Sequence, residues 1–257
     1  MTHVLHTLTT GDGPPLVLLH GLFGQAKNWA TIAKGLADGR RVIAADLRNH
    51  GQSPWSQEMT YPAMAGDVAA LIEALPEGRA DVLGHSMGGK AAMLLALTRP
   101  ELVERLVVAD IAPVAYSGGS LLPFVDAMLA VDPSRYASRK EVEASLKRAI
   151  QDPGIRQFLL SNLVRGADGG LRWTLNLRAL RAAMDTLAGW PEPDGRYDGE
   201  TLFLAGARSD YVDDGARPAI DRSFPNRRID RVPAGHWIHA EAPEATLAAL
   251  RGFLRMA

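Results

Sequence analysis

Short uninterrupted apolar runs alternate along this chain with longer segments in which apolar residues recur at helical spacing. The runs predict buried strands at 16–19, 41–45, 80–83, 106–109 and 201–205, with further strands at 4–9 and 228–232. The longer segments predict helices at 29–37, 61–75, 90–98, 215–224 and 243–254. Strands that are apolar throughout and are separated by helices are typical of a mostly parallel sheet covered on both faces. Ligands of such a sheet bind beyond the carboxyl ends of its strands.

The pattern changes between 111 and 198, where no buried strand is evident and candidate helices are broken by Pro and Gly. These helices are predicted at 121–131, 139–150, 155–164 and 174–187. We therefore expect one α/β domain whose core comprises 1–110 and 199–257, with a helical lid inserted at 111–198. Large apolar side chains on the lid are candidates for an acyl pocket, although such stripes are also typical of helix-packing core. These candidates are Phe124, Met128, Trp173, Leu177 and Met184.

The sequence Gly84-His85-Ser86-Met87-Gly88 joins the strand at 80–83 to the helix at 90–98. This is the G-x-S-x-G pattern of a sharp strand-to-helix turn, in which glycines on either side of the serine allow backbone segments to approach closely. Glycine and serine also mark ordinary loops, but the strand before and the helix after favour an exposed nucleophile. We expect Ser86 to be that nucleophile and the Met87 N–H, at a helix N-terminus, to donate to an oxyanion.

The loop after the strand at 16–19 can supply a second oxyanion donor, because it lies at the same edge of the sheet. The backbone N–H of Leu22 is the candidate, and Phe23 beside it is a candidate contact for substrate. His20 opens this loop, and we expect it to be structural rather than a base. The polar segment 48–50 follows the next strand, and hydrogen bonds that brace the loop are its expected role.

A general base for Ser86 is expected in the loop before the last helix, where His236 follows the strand at 228–232. The other histidines suit the role less well because of their positions. His3 and His6 lie at the start of the chain, His85 is held beside the nucleophile, and His239 lies at the approach to the last helix. Trp237 is next to the base and is a further candidate for substrate contact.

Two aspartates qualify as the acid that orients the base, since both follow Ser86 and precede His236 at the carboxyl end of a strand. Asp110 is followed by the rigid apolar segment 111–113, which ends in proline and would hold the carboxylate buried and fixed. Asp210 lies in a polar loop, where a solvated carboxylate is the plain alternative. We favour Asp110 as the acid and keep Asp210 as its rival.

The charge balance and composition limit the class of partner. The 257 residues carry 28 Lys and Arg against 29 Asp and Glu, so the overall field favours neither nucleic acid nor an anionic membrane, and we expect a small-molecule partner. The absence of cysteine excludes a thiolate nucleophile and thiolate metal ligands. No apolar run reaches membrane-spanning length and no secretion signal is evident at 1–20, so we expect a soluble cytoplasmic protein.

Five segments together carry a resemblance to a known family. They are His20-Gly21-Leu22-Phe23-Gly24, Asp46-Leu47-Arg48-Asn49-His50-Gly51-Gln52-Ser53-Pro54, Gly84-His85-Ser86-Met87-Gly88-Gly89-Lys90, Asp110-Ile111-Ala112-Pro113-Val114 and Gly235-His236-Trp237. The chain resembles the YbfF-type esterases of the α/β-hydrolase superfamily over nearly its whole length, least so in the lid. The resemblance implies the α/β-hydrolase fold, with the helical lid inserted after the sixth strand. The chain departs from the family at Asp210, where the family carries a non-acidic residue, although most α/β-hydrolases keep their acid in that loop.

The resemblance also implies a serine hydrolase of carboxylic esters or acyl thioesters that needs neither a cofactor nor a metal. His236 would take the Ser86 proton, Ser86 would attack the carbonyl carbon, and water would hydrolyse the resulting acyl-serine. Other functions fit the same residues: carbon-carbon bond hydrolysis, a cofactor-free perhydrolase reaction, or ligand binding by a receptor with very slow turnover. Turnover of p-nitrophenyl esters distinguishes an esterase from such a receptor.

Overall fold

The structure, a computed structural model, describes residues 2–116 and 121–256. The strands in these residues are β1 Thr7–Thr10, β2 Pro15–Leu19, β3 Arg41–Ala45, β4 Ala80–His85, β5 Val103–Ala109, β6 Leu163–Arg165, β7 Leu171–Trp173, β8 Thr201–Gly206 and β9 Arg227–Val232. The helices are α1 Ala30–Leu36, α2 Tyr61–Glu73, α3 Met87–Thr98, α4 Leu122–Leu129, α5 Arg139–Leu146, α6 Pro153–Leu160, α7 Leu177–Ala182, α8 Met184–Ala188, α9 Arg217–Ser223, α10 Ile238–Glu241 and α11 Pro243–Phe253. Short 3-10 helices lie at Ala26–Trp29, Pro100–Leu102 and Pro133–Arg135.

Seven strands form the main sheet in the order β1-β3-β2-β4-β5-β8-β9. The β1–β3 pair is antiparallel, and each of the other neighbouring pairs is parallel. The predicted mostly parallel sheet is therefore confirmed. Because β2, β4, β5, β8 and β9 run in the same direction side by side, the loops at their carboxyl ends meet along one edge of the sheet.

Alternate residues of the buried strands face opposite sides of the sheet. On β2, Val17 and Leu19 belong to the core that includes α2 and α3, whereas Leu16 and Leu18 belong to the core that includes α1 and α11. All four side chains are fully buried, and burial of one such leucine contributes about 2 kcal/mol. A strand covered on both faces must be apolar at every position, and this is why the uninterrupted runs predicted these strands.

Helix α3 directly follows the central strand β4. Every residue from Met87 to Leu97 is buried, including Lys90, because the helix packs between the sheet and α2. The turn that precedes α3 therefore rests on a rigid support. Although α3 is strongly apolar, no helix in the described part of the chain combines the length and composition needed to cross a membrane.

The segment between β5 and its neighbour β8 contains α4 to α8 together with a two-stranded antiparallel sheet of β6 and β7. The expectation that this segment has no buried strand agrees with these two strands, which have three residues each and only one buried residue apiece; so short a pattern gives no recognisable signal in the sequence. The insertion follows the fifth strand along the described chain, not a sixth. The residues at 117–120 of the predicted lid lie outside the described residues, and a lid function for 111–198 stays a prediction.

Two of the predicted helices in this segment differ from those observed. The helix predicted at 155–164 ends at Leu160, and the chain then turns into β6. The helix predicted at 174–187 is divided into α7 and α8 at Ala183, whose φ of −96° and ψ of 3° are not helical. Both differences shorten the predicted helices.

Candidate active site

Ser86 lies in the turn between β4 and α3, with a φ of 52° and a ψ of −118°. A positive φ is unfavourable for a residue with a Cβ atom and persists only where surrounding contacts fix the backbone. The Ser86 N–H donates to the Ala109 carbonyl at 3.1 Å, and the Ser86 carbonyl accepts from the Lys90 N–H at 3.0 Å. The serine is thereby held at the carboxyl edge of the sheet, where it lines two cavities.

The glycines of the turn are required by close backbone contacts. A Cβ atom on Gly84 would lie 2.2 Å from the Gly88 carbonyl oxygen. A Cβ atom on Gly88 would lie 2.5 Å from the His20 carbonyl oxygen. Both distances are far below van der Waals contact, so any other residue would displace backbone next to Ser86. The close approach expected from the G-x-S-x-G pattern is present.

The Asp110 carboxylate is fully buried and lies beside His236. His236 Nδ1 donates to Asp110 Oδ2 at 2.8 Å. The same carboxylate accepts from the Ser209 hydroxyl at 2.5 Å and from the Gly206 N–H at 2.8 Å. These donors satisfy the buried carboxylate and fix its orientation. Asp210, the rival acid, is exposed.

The loop that carries His236 is braced by one carboxylate. Glu241, on α10, accepts from the Gly235 N–H at 2.7 Å and from the Trp237 N–H at 3.3 Å. The backbone on both sides of His236 is thus fixed to a helix. The imidazole itself is 20% exposed, which leaves it accessible from the cavity while its Nδ1 atom is held by Asp110.

His85 also binds the loop that carries His236. Its Nε2–H donates to the His236 carbonyl at 2.8 Å. Burial lowers the pKa of His85 well below its ordinary value, and the neighbouring His236 and His239 lower it further. His85 is therefore neutral at pH 7 and serves as a hydrogen-bond donor to the backbone. Tyr211 covers the other side of His236, with ring centroids 4.3 Å apart.

The backbone N–H groups of Leu22 and Met87 are available for an oxyanion. Neither donates a hydrogen bond to any atom of the described residues. Leu22 lies in the loop after β2 and Met87 begins α3, and both line a cavity together with Ser86. Two free donors beside a serine are the arrangement that stabilises a tetrahedral oxyanion.

The loop that contains Leu22 is preorganised by its neighbours. The Phe23 N–H donates to His50 Nε2 at 3.2 Å, and the Phe23 carbonyl accepts from Asn162 Nδ2 at 2.7 Å. The Gly24 N–H donates to the Gly21 carbonyl at 2.9 Å. These contacts hold Phe23 at a φ of 62°, a conformation that is strained for a residue with a side chain. The orientation of the Leu22 N–H is fixed before substrate binds.

His20 and His50 are structural, as their positions predicted. His20 Nδ1 donates to the Gly21 carbonyl at 2.8 Å, and its Nε2 accepts from the Leu47 N–H at 2.9 Å. Burial lowers the pKa of His20. Burial and the adjacent His20 lower the pKa of His50 to about 3. In the polar segment 48–50 the Arg48 Nε donates to the buried Asp67 of α2 at 2.7 Å, which confirms that hydrogen bonds brace this loop.

Two cavities meet at Ser86. The first, here named the His236 cavity, has a volume of about 180 Å³ and is lined by His236 among others. The second, here named the Lys90 cavity, has a volume of about 260 Å³ and is lined by Lys90 among others. Both are also lined by Leu22, Leu121 and Tyr211. A substrate whose reacting carbon lies at Ser86 can therefore extend in two directions.

Residues 14–143 match the family described as the alpha/beta hydrolase fold. The chain is 43% identical to the mouse sn-1-specific diacylglycerol lipase ABHD11, over 97% of this chain and 84% of the relative. It is 37% identical to esterase YbfF of Escherichia coli K12, over 95% of this chain and 94% of the relative. A marine microorganism esterase of solved structure superposes with a TM-score of 0.95 at 36% identity, covering 98% of this chain and 100% of that one.

The chain belongs to the α/β-hydrolase family. The resemblance to YbfF-type esterases, predicted from the motifs, is confirmed by the match over nearly the whole chain. The α/β-hydrolase fold is confirmed by the same comparisons and by the order of the strands. Hydrolytic chemistry is what this membership supports.

The residues predicted to contact substrate in this α/β-hydrolase fall into three groups. Phe23, Phe124 and Trp237 line the His236 cavity. Met184 lines the Lys90 cavity. Met128, Trp173 and Leu177 line neither cavity and instead pack in or against the hydrophobic core. These last three residues therefore fit the alternative interpretation, in which apolar side chains on the helices form packing core and do not contact substrate.

Several residues of the α/β-hydrolase site were not found by sequence reasoning. Ser209 binds Asp110, Tyr211 and Leu121 line both cavities, and Phe158 lines the His236 cavity. Ser209 and Tyr211 flank Asp210, so the loop of the rival acid also carries a hydrogen-bond donor to Asp110. The sequence contains no comparable signal for Phe158, because whether this side chain reaches the cavity depends on where helix α6 ends.

Proposed function

We propose that this α/β-hydrolase is a serine hydrolase that cleaves carboxylic esters or acyl thioesters. Ser86 is the nucleophile, His236 the general base and Asp110 the acid that orients it, with the Leu22 and Met87 N–H groups as the oxyanion hole. The mouse relative is named a diacylglycerol lipase and the Escherichia coli relative an esterase, and these names support ester cleavage.

The observation that carries the proposal is the contact between Asp110 and His236 beside Ser86. A carboxylate that accepts from Nδ1 leaves Nε2 as the unprotonated atom of the neutral imidazole, ready to accept a proton. His236 and Ser86 line the same cavity. The chain contributes these residues in the order serine, acid, histidine, which is that of the family.

The reaction follows from these groups. The His236 Nε2 atom takes the Ser86 proton as the Ser86 oxygen bonds to the carbonyl carbon, and the oxyanion is held by two N–H donors, each contributing about 3 kcal/mol. The tetrahedral intermediate collapses, the bond to the leaving group breaks, and His236 returns the proton to that group. Water, deprotonated by His236, then attacks the acyl-serine and releases the acid and Ser86.

The cavities differ in which catalytic groups they contain. His236 lines the His236 cavity but not the Lys90 cavity, whereas Met87 lines the Lys90 cavity but not the other. Because His236 must protonate the departing oxygen or sulfur, the leaving group belongs in the His236 cavity. The acyl group then extends into the Lys90 cavity.

The experiment is turnover of p-nitrophenyl esters of graded acyl length, combined with covalent labelling. Wild-type protein is expected to hydrolyse short esters and to be labelled by a fluorophosphonate at the peptide containing Ser86. Labelling without turnover would instead support a receptor of very slow turnover. Cleavage of a carbon-carbon substrate, or peracid formation, with no ester hydrolysis would replace the proposal with one of those reactions.

A further inference from the structure

Lys90 is a buried cation one helical turn beyond the nucleophile. Its side chain is 1% exposed and lines the Lys90 cavity together with Ser86. Its Nζ donates to the Gly189 carbonyl at 2.6 Å and to the Ala188 carbonyl at 3.1 Å. An ammonium group has three N–H donors, so these contacts leave one for another acceptor.

Lys90 forms no ion pair within the described part of the chain. Among the described residues no carboxylate lies within ion-pair distance of its Nζ atom. The contacts are two neutral carbonyls and the faces of two aromatic rings, Tyr116 with its centroid at 4.9 Å and Tyr61 at 5.6 Å. A buried cation of this kind is costly unless a polar or anionic group completes its environment.

We infer that the Lys90 cavity is an acyl subsite in which the Lys90 ammonium binds an anionic group at the far end of a short acyl chain. The preferred substrates are then monoesters or monothioesters of dicarboxylic acids. The inference rests on the proposed function, because the acyl group occupies this cavity only if His236 protonates the leaving group on the other side. The cavity volume of about 260 Å³ lies just below the lower end of the range for ligand pockets, about 300 Å³, and suits a compact acyl group.

The other titratable groups around Lys90 permit this assignment. Burial raises the pKa values of Tyr61, Tyr116 and Tyr211, so these phenols are neutral at pH 7. Asp185 lines the same cavity but is exposed, and water screens its repulsion of an incoming anion. Burial lowers the pKa of Lys90 to about 8, so it is charged at pH 7.

Two methyl esters of the same shape test whether Lys90 favours an acyl group that carries a negative charge. Monomethyl glutarate carries a carboxylate where methyl 5-methylhexanoate carries an uncharged isopropyl group, and methanol release measures both. At pH 7 the wild-type protein is expected to favour the anionic ester by about tenfold or more in kcat/KM, mainly through KM. Lys90→Met should reduce the ratio of the two values by at least about tenfold, whereas Lys34→Met, an exposed lysine on α1, should leave the ratio unchanged.

The competing role for Lys90 is to fasten Ala188 and Gly189 to α3. In that case Lys90→Met would lower kcat/KM equally for both esters, and the inference would be wrong. Asp185→Asn keeps these lysine contacts and should raise the ratio in favour of the anionic ester only slightly, about twofold at most, because water screens the exposed Asp185. A wild-type preference for the neutral ester would also overturn the inference, but Ser86-dependent hydrolysis of that ester would leave the proposed function standing. Absence of hydrolysis of every ester would instead reject the proposed function itself.

Discussion

The carboxyl edge of the sheet and the inserted segment between β5 and β8 contribute different kinds of residue to one site. The sheet edge supplies polar groups that bind one another across long sequence distances, as Asp110 and His236 do over 126 positions. The inserted segment supplies mainly apolar side chains on short helices, such as Phe124, Phe158 and Met184. All the histidines of the chain lie outside the insertion.

We infer from this difference that the sheet edge carries out the reaction and that the insertion selects the substrate. Hydrogen bonds between buried groups fix atoms to within a few tenths of an ångström, which is what proton transfer and oxyanion binding need. Apolar contact depends on area and volume and changes gradually with side-chain size. We therefore expect changes at the sheet edge to abolish the reaction, and changes in the insertion to alter which substrate reacts.

Replacing the nucleophile should have the largest effect. Ser86→Ala is expected to lower kcat by about a million-fold, because the proposed covalent route is lost. The backbone of the turn is held by close glycine contacts and backbone hydrogen bonds, so the variant should unfold at the same temperature as wild type. Ser134→Ala, at an exposed serine of the insertion, is the matched control. Activity within tenfold of wild type in Ser86→Ala would mean that another residue is the nucleophile.

Asp110→Asn should have the next largest effect. It keeps the shape of the side chain but presents a poorer acceptor to His236 Nδ1, and we expect kcat to fall by about 10⁴. Asp210→Asn should change kcat by less than about twofold, because Asp210 is exposed and it is Asp110 that binds His236. Steady-state kinetics on one short ester measure both. The reverse order of effects would make Asp210 the acid, and similar partial losses would mean that either carboxylate can serve.

The sequence was most informative where structure depends on local pattern. The continuous apolar strands, the turn at Ser86 and the order of its candidate partners follow from spacing and from the glycines, and they predicted the fold. Asp110 and Asp210 were not separable by order or topology. Their difference lies in tertiary position, since Asp110 has φ 51° and turns its carboxylate toward a loop that begins near residue 206.

Contacts between the insertion and the sheet could not be predicted in this way. Lys90 is the one charged residue of α3, and its partners at Ala188 and Gly189 lie 98 and 99 positions away. The three-residue strands β6 and β7 pair only because the chain turns between them. Local patterns in this segment indicated helices and core, but not which side chains would reach a cavity.

A buried histidine at the carboxyl edge of the sheet predicts that the protein loses stability as the pH falls. His50 is fully buried, and its pKa is lowered to about 3 chiefly by burial and secondarily by His20. In the unfolded chain its pKa is about 6.5, so between these values the unfolded state binds the additional proton and stability falls as pH falls. By pH 4 this one group accounts for a loss of roughly 3 kcal/mol in the free energy of unfolding.

Urea unfolding at pH 7 and pH 4 measures this effect. His50→Gln, which keeps a neutral acceptor for the Phe23 N–H, should be less acid-sensitive than wild type by about the same amount. Met184→Ala, in the histidine-free insertion, should keep the wild-type dependence on pH. An unchanged pH dependence in His50→Gln would show that protonation of other groups governs the acid transition.

The smallest expected effects come from substitutions of apolar residues in the insertion. These substitutions distinguish the role of the Lys90 cavity from that of the His236 cavity. Met184→Ala should shift the preferred acyl length, because Met184 lines the Lys90 cavity, and Phe124→Ala should shift the preferred alcohol length, because Phe124 lines the His236 cavity. Each shift should be about tenfold, since one large apolar contact is worth about 1 to 3 kcal/mol. Met128→Ala is the control: this buried side chain lines neither cavity, so it should lower the free energy of unfolding by about 2 to 5 kcal/mol and leave both preferences unchanged. Acyl preference that responds to Phe124 and not to Met184 would reverse the assignment of the cavities.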